Sequence, residues 1–357
     1  MPLTDYFHKI KSTFGGEKQK YSIGYQMRGD YGDTDFPAMV DKYRDRISEV
    51  FFPMPGDSSG RPPIGSGSKK DIMELLAVFC KDLDALHEIG VPGVLLFNSA
   101  CYGGNAVSYG LFNHVKDSIE MVRKHIDLIA LTTMSMPIAE FVKMNFKELP
   151  VRASVNMYLE DVGQMSLASR YFDGFYLGRE VNRDMARIKR IREWCDAHGK
   201  SLHLLVNSGC LHHCPFKHFH LNASAHYRDL EKNASPTTVN SFLCARELAN
   251  PENHVCILRS SWIRPEDIHH YAGMFDTIKL ATRSAEYPEN VLKAYCDEKW
   301  NGDLLEILEP GHSNVQGIPV FCNDRFPKDW FDHTAHCGHH CETCHYCEEV
   351  LQKVVSG

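Results

Sequence analysis

Two groups of cysteine are the residues of this sequence best suited to chemistry, and the first lies near its middle. Cys210 and Cys214 follow an apolar run, with three residues between them and a proline directly after the second; Cys244 and Cys256 come later. Thiolates bind soft and borderline metals, and four of them hold either a 4Fe–4S cluster or a zinc ion. We therefore expect these four cysteines to bind a cofactor, the alternative being that Cys244 and Cys256 are helix core residues.

The second group is Cys337, Cys341, Cys344 and Cys347, four cysteines within eleven residues. This spacing predicts either a ferredoxin-like 4Fe–4S cluster or a zinc site, since four thiolates satisfy both. The first three also have the Cys-x3-Cys-x2-Cys spacing of radical S-adenosylmethionine enzymes. In those enzymes the motif follows the first barrel strand, which is not its place here.

Charged residues and histidines supply the remaining candidates. A guanidinium pairs bidentately with carboxylate or phosphate, so Arg179 and Arg283 are expected to bind such a group on a substrate. Glu180 is either a general base or an ion-pair partner. Imidazole can replace a missing fourth thiolate, and the nearby histidines that could do so are His212, His213, His218, His220 and His226. We predict that Arg179, Glu180, Arg283 and His213 form the catalytic set.

The elements that must position these residues alternate regularly. Eight short apolar segments, the first at 21–27, the fifth at 151–157 and the last at 277–280, are separated by helical patterns. Such alternation indicates parallel strands with crossover helices, and eight units over about 280 residues match a closed (β/α)8 barrel. A doubly wound open sheet is the alternative, but no Gly-x-Gly-x-x-Gly follows the first strand.

In such a barrel the loops after the strands carry the chemistry. The distinctive residues fall in those loops: Arg28, Arg61, Asn98, Cys101, Asn156, Arg179, Glu180, Asn207, Cys210, Cys214 and Arg283. We assign residues 1–300 to an α/β TIM-like barrel with an insertion between strands seven and eight. Residues 301–357 form a C-terminal extension that carries the second cysteine group.

Composition limits the classes of function. The 357 residues are 43% hydrophobic and 24% charged, which is ordinary for a globular protein. A net charge of −7 gives no basic surface for duplex DNA. The N-terminus lacks the apolar region of a signal peptide, and no apolar run is long enough to cross a bilayer. We therefore expect a cytoplasmic protein whose thirteen cysteines are reduced and whose clustered ones bind metal.

The run Asp173–Met185, with Gly-Arg-Glu-Val-Asn after a strand, resembles the strand, Arg-Glu-Leu, helix signature of the collagenase-like peptidase family (family U32). Three further stretches are similar to that family: residues 153–156, the cysteine loop at Cys210, and the segment from Pro265 to Arg283. The resemblance covers residues from about 90 to 300. It departs from the family pattern at 207–215, in the gaps to the later cysteines, and at Thr282, where the family has glycine.

This resemblance implies a barrel with a 4Fe–4S cluster held by four cysteines, here Cys210, Cys214, Cys244 and Cys256. It also implies kinship with oxygen-independent hydroxylases that act on ubiquinone precursors, transfer RNA or ribosomal RNA and take the hydroxyl oxygen from prephenate. The first hypothesis is accordingly an iron–sulfur redox enzyme, a hydroxylase or related modifier of a small molecule, RNA or peptide. Its second cluster would relay electrons or dock a partner subunit.

Two other hypotheses stay open. A metal-dependent or cysteine peptidase would need an open metal site or an activated nucleophile. No His-Glu-x-x-His or Gly-x-Ser-x-Gly motif is present, so Cys101 with a loop histidine is the nucleophile–base candidate. The third hypothesis is a non-catalytic binding module in which zinc only stabilises the fold.

Overall fold

The fold is that of a computed structural model, which describes residues 18–65, 71–233, 243–312 and 315–355. Eight parallel strands pair in chain order and close into one barrel. Closure is made between the last strand and the first, where Ile278 lies opposite Tyr21. The strands are β1 Tyr21–Gly24, β2 Ile47–Phe52, β3 Gly93–Phe97, β4 Leu128–Thr133, β5 Val151–Ala153, β6 Gly174–Tyr176, β7 Ser201–Leu205 and β8 Thr277–Leu280. The predicted (β/α)8 class is confirmed.

Helices follow the strands around the outside of the barrel. In the described residues they are α1 Phe36–Lys42, α2 Ile72–Ile89, α3 Tyr109–Val122, α4 Met136–Asn145, α5 Val162–Ala168, α6 Met185–Ala197, α7 Lys217–Ala225, α8 Tyr227–Asn233, α9 Leu243–Leu248, α10 Val255–Arg259, α11 Pro288–Cys296, α12 Trp330–Thr334 and α13 Tyr346–Val354. Helices α7 to α10 belong to the insertion between β7 and β8, as the sequence predicts.

The helix α2 shows how local sequence sets these elements. The Asp71 carboxylate accepts hydrogen bonds from the backbone N–H groups of Met73 and Glu74, which begins the helix. Leu75, Phe79, Leu83 and Leu86 recur at helical spacing and are buried against the barrel. Gly90 then takes φ 81° and ends the helix, a backbone conformation that favours glycine.

Several predicted boundaries are displaced for local reasons. The fifth strand ends at Ala153 rather than at residue 157, because Ser154 accepts a hydrogen bond from the Asn156 N–H and starts a 3-10 turn. The first strand ends at Gly24 rather than at residue 27. The eighth strand has its predicted bounds, 277–280.

The barrel interior is partly charged, in contrast to the apolar layer between strands and helices. Arg152 of β5 donates to both carboxylate oxygens of Glu49 of β2, at 2.7 and 2.9 Å, and both residues are buried. A charge pair removed from water is stable only when each partner satisfies the other. The Glu49–Arg152 pair therefore ties opposite sides of the barrel together.

The C-terminal extension packs on the insertion. The rings of Trp262 and Trp330 stack with centroids 5.7 Å apart, and Arg183 lies over both rings. Helix α13 lies against α10, where Arg259 forms an ion pair with Glu348. The described part of the chain contains no helix with the length and apolar character needed to cross a membrane.

We predict that Glu49→Gln destabilises the protein by about 3–5 kcal/mol, because it leaves the Arg152 charge buried without its carboxylate. Urea unfolding followed by circular dichroism measures the change. Glu120→Gln is the matched control, since Glu120 pairs with Lys116 on the exposed face of α3 at 3.8 Å. We expect about 0.5 kcal/mol or less there. Equal losses in the two variants would contradict a structural role for the buried pair.

Candidate functional site

The loops at the carboxyl ends of the strands bring several predicted residues together. Glu180 follows β6 and accepts a hydrogen bond from the backbone N–H of His213, 3.0 Å away. Its carboxylate also lies 2.9 Å from Nδ1 of His212. One ligand atom from each of Glu180, His212 and His213 lies within 4.8 Å of the others. Two imidazoles and a carboxylate are a ligand set found in catalytic zinc sites.

The surroundings favour the ionised form of Glu180. Burial alone would raise the pKa of Glu180, but the hydrogen bonds from His212 and from the His213 N–H outweigh burial and lower it. His212 Nε2 is buried and has no hydrogen-bond partner among the described residues. His213 has φ 47°, which non-glycine residues seldom adopt. A carboxylate base and an unpaired imidazole nitrogen are what a cation would require.

Arg179 lies beside this group and faces the barrel mouth. Its guanidinium donates to Oδ1 of Asn156 at 2.8 Å and lies over the ring of Tyr158. The same ring lies 4.0 Å from Nζ of Lys217 in α7. Asn156 and Tyr158 belong to the turn that replaces the end of the predicted fifth strand, so the short β5 directly shapes the site.

A second charged group lies across the mouth. Arg61 donates through Nε to Oε1 of Glu309 at 2.8 Å, and Oε2 of Glu309 accepts from the backbone N–H of Ser284. Arg283 is buried nearby and donates to the Pro62 carbonyl at 3.5 Å. Burial lowers the pKa of Arg283 to about 10, an effect that Glu309 partly offsets. The predicted residue Arg283 therefore faces the mouth.

Glu309 was not among the residues predicted from the sequence. It belongs to the extension and reaches the mouth because its backbone N–H donates to Asn207 and it pairs with Ser208 after β7. Asn207 in turn donates to the carbonyls of Ala281 and Ile307. No local sequence motif identifies Glu309 as a site residue. The loops after the strands contain several arginines, and this excess of positive charge was the sequence feature that predicts a carboxylate partner.

Three of the four cysteines predicted for the barrel cofactor, Cys210, Cys214 and Cys244, lie within electrostatic range of one another. Burial disfavours ionisation of Cys210, but Arg179, Arg61 and a hydrogen bond from Ser208 outweigh it and lower the pKa of its thiol. Burial and the charges of Cys210 and Cys214 raise the pKa of Cys244 to about 11. These three thiols are close enough to influence one another's ionisation. The charge of Glu180 also contributes to raising the pKa of Cys214.

Cys256 is placed differently. It lies in α10, where its thiol interacts with Arg259 and Glu348, and α10 packs against α13 of the extension. Cys210, Cys214 and Cys244 therefore influence one another's ionisation, whereas Cys256 lies on the side of the second cysteine group.

The second cysteine group forms a compact loop. The charges of Cys337 and Cys344 act on Cys341, and those of Cys337 and Cys341 act on Cys347. The backbone N–H of His339 lies 3.3 Å from Sγ of Cys337. The His339 ring stacks on His212 with centroids 4.2 Å apart and an interplanar angle of 8°. The loop therefore contacts the Glu180, His212 and His213 group directly.

Cys101, the predicted nucleophile for a cysteine peptidase, lines a separate cavity of about 370 Å³. His114 lines the same cavity and pairs with Asp57 at 2.8 Å, and His226 also lines it. The Cys101 sulfur accepts a hydrogen bond from the Gly103 N–H at 3.3 Å. A thiol and an Asp-paired imidazole therefore share this cavity.

Comparison with known proteins gives a sequence relative among curated proteins and several solved structures of similar fold. No protein-family model matches the chain. A stretch of 186 residues is 27% identical to a Methanocaldococcus jannaschii protein named as an uncharacterized protease; it covers 50% of this chain and 52% of that protein. The chain therefore spans about half the length of this curated relative. A solved U32 peptidase is similar over 75% of this chain and 94% of its own, with a TM-score of 0.53 and 14% identity. That likeness shows that the two proteins share the barrel fold.

We predict that Glu309→Gln weakens the folded state by about 1.5–3 kcal/mol near neutral pH, because Arg61 loses its charged acceptor. Burial would raise the pKa of Glu309, but Arg61, the Ser284 N–H and Arg283 outweigh it and lower the pKa. A carboxyl with a depressed folded-state pKa stabilises above its unfolded value, about pH 4.3, and loses this contribution as the pH falls through the folded value. Urea titrations of wild type and variant between pH 3 and 7 should therefore converge at the acid end.

Glu306→Gln is the control for this pH dependence. Glu306 is exposed on the same extension, and burial together with Asp303 and Glu286 raises its pKa. Its ionisation does not favour the folded state, so the variant should show no loss near pH 7. A loss in Glu309→Gln that stays constant down to pH 3 would contradict the assigned ion pair.

Proposed function

We propose that the chain is a hydrolase of the U32 peptidase family that uses a divalent cation held by Glu180, His212 and His213. One observation carries the proposal: a carboxylate and two imidazoles converge within 4.8 Å on the face of the barrel where catalytic residues lie. The protease relative and the shared fold support the same class of activity. Three protein ligands leave a position for substrate, as in catalytic rather than structural zinc sites.

The residues around this group have separate roles in the proposal. The cation, when bound, supplies Lewis acidity toward a carbonyl oxygen of the substrate. Arg179, held by Asn156, is positioned to bind an anionic part of the substrate. Arg61 and Arg283 outnumber the carboxylate of Glu309 across the mouth, so the mouth favours a substrate with a carboxylate. An acidic peptide or the carboxyl end of a peptide fits this charge.

A second candidate function is favoured by the thiols of Cys210, Cys214 and Cys244. Their mutual influence on ionisation supports an iron–sulfur cluster with three ligands from this chain, and hence the redox enzyme or hydroxylase of the first hypothesis. The lowered pKa of Cys210 suits a metal-binding thiolate. Under this proposal Cys337, Cys341, Cys344 and Cys347 hold a second cluster or a zinc ion, and a small molecule, RNA or peptide is the substrate.

We predict that Glu180→Gln combined with His212→Ala abolishes hydrolysis of a quenched-fluorescent peptide library and removes about one divalent ion per chain. Metal content of anaerobically purified protein, by mass spectrometry, and initial rates are the two measurements. Glu160→Gln is the control, since Glu160 is a half-buried acid that lies outside the three-residue group. Hydrolysis that persists in the double variant, or in protein stripped by chelator, would contradict the hydrolase.

We predict a different result for the iron–sulfur candidate. Cys244→Ser should remove about four iron and four acid-labile sulfide per chain, whereas Cys256→Ser should leave them in place. Cys256→Ser is the matched control for Cys244→Ser. Both cysteines lie in the insertion, but only Cys244 is near Cys210 and Cys214. Any iron and sulfide that remain in Cys244→Ser would be bound by the second cysteine group. Absence of sulfide from the wild type would contradict this candidate.

A further inference from the structure

Lys279 lies inside the barrel and has no role in the functions proposed above. It is the third residue of β8, and its Cα pairs across the sheet with Ser22 of β1 and Leu205 of β7. Its Nζ atom lies 3.5 Å from the ring centre of Phe51 and 4.9 Å from that of Tyr176. Aromatic faces attract a cation, but they supply no proton acceptor of the strength of a carboxylate.

The nearest acids are already engaged. Both oxygens of Glu49 accept from Arg152, and Glu309 pairs with Arg61 and Ser284. Among the described residues, no carboxylate oxygen lies within 4.0 Å of the Lys279 nitrogen. Burial lowers the pKa of Lys279 to about 7; Glu49 opposes this change, while Arg283 and Arg152 add to it. Its amine is consequently held without the ion pair that keeps most buried lysines charged.

The interior around Lys279 also has unsatisfied polar surface. Nδ1 of His203 is buried and has no hydrogen-bond partner among the described residues. The His203 ring lies 4.9 Å from that of Tyr176, which in turn flanks Lys279. Lys279 keeps 7% of its surface exposed. Buried polar atoms normally have partners, so this interior suits a small polar guest.

We propose that Lys279 is a nucleophilic residue that forms an imine with a small aldehyde or ketone bearing an anionic group. The neutral amine attacks the carbonyl carbon, a C–N bond forms, and the carbonyl oxygen leaves as water after proton transfer from nitrogen. No oxidant or reductant is consumed. The nearby Arg283 guanidinium supplies the binding partner for the anionic group, because Glu309 balances only one of the two arginines at the mouth.

This inference concerns a different residue from the hydrolase site and goes beyond it. Imine formation requires neither Glu180 nor the histidines, so the double variant Glu180→Gln, His212→Ala should still form the adduct. Loss of hydrolysis and loss of imine formation are therefore separable results.

The test is reductive trapping. The full-length protein is incubated at pH 7 with glyoxylate and sodium cyanoborohydride, digested, and mapped by mass spectrometry. We expect one carboxymethyl group on the peptide that contains Lys279, at a rate about tenfold or more above that of Lys293. Lys293 is the control amine, because it is exposed on α11 and its ion pair with Asp297 raises its pKa.

Two comparisons make the result decisive. Acetaldehyde, which lacks the carboxylate, should label Lys279 more slowly than glyoxylate does. At Lys293 the two aldehydes should react at similar rates. Lys279→Arg keeps a buried cation and should lose the adduct with an unchanged circular dichroism spectrum. If that variant does not fold, the peptide map of the wild type decides alone. Labelling spread over exposed lysines, or an unlabelled Lys279, would overturn the proposal.

Discussion

Closure of the barrel is the constraint on which the site depends. Parallel pairing in chain order places every carboxyl end of the eight strands at one rim, and the seam between β1 and β8 holds the rim closed. The loops after β2, β5, β6, β7 and β8 therefore meet, although they come from residues as far apart as Arg61 and Arg283. The residues between them in sequence serve mainly to bury the strands and to fix their register.

Charge balance is the second organising factor. Moving a charged group from water into a protein interior costs several kcal/mol unless it is paired. The barrel pairs Arg152 with Glu49 and Arg61 with Glu309, but it leaves Arg283 and Lys279 without a carboxylate in contact among the described residues. Burial therefore disfavours the charged forms of Arg283 and Lys279, and an anionic guest would offset this cost. Electrostatics therefore favours the same class of ligand at the rim and in the interior.

The sequence predicted the barrel and the rim because both depend on local patterns. Apolar alternation identified eight strands, and the loop positions of Arg179, Glu180 and Arg283 followed from it. What local patterns cannot give is contact between distant segments. Glu309 reaches the rim through the partners of Asn207 and Ser208, and Cys256 turns away from Cys210 because α10 packs on α13. The predicted set of four thiols is therefore divided between two places, which the spacing of its cysteines in the sequence does not reveal.

The contacts of Asn207 also bear on the order in which the protein matures during synthesis. Asn207 follows β7, yet one of its acceptors is the carbonyl of Ile307, and the Glu309 N–H donates to Asn207 in return. Residues 303–322 leave the ribosome after all eight strands, so a barrel that has already closed still has an incomplete rim. Because domains fold largely as they emerge, the nascent chain can pass through a stage with a formed barrel and no functional pocket. Such a delay would leave Arg61 and Arg283 without the Glu309 carboxylate until the extension has docked.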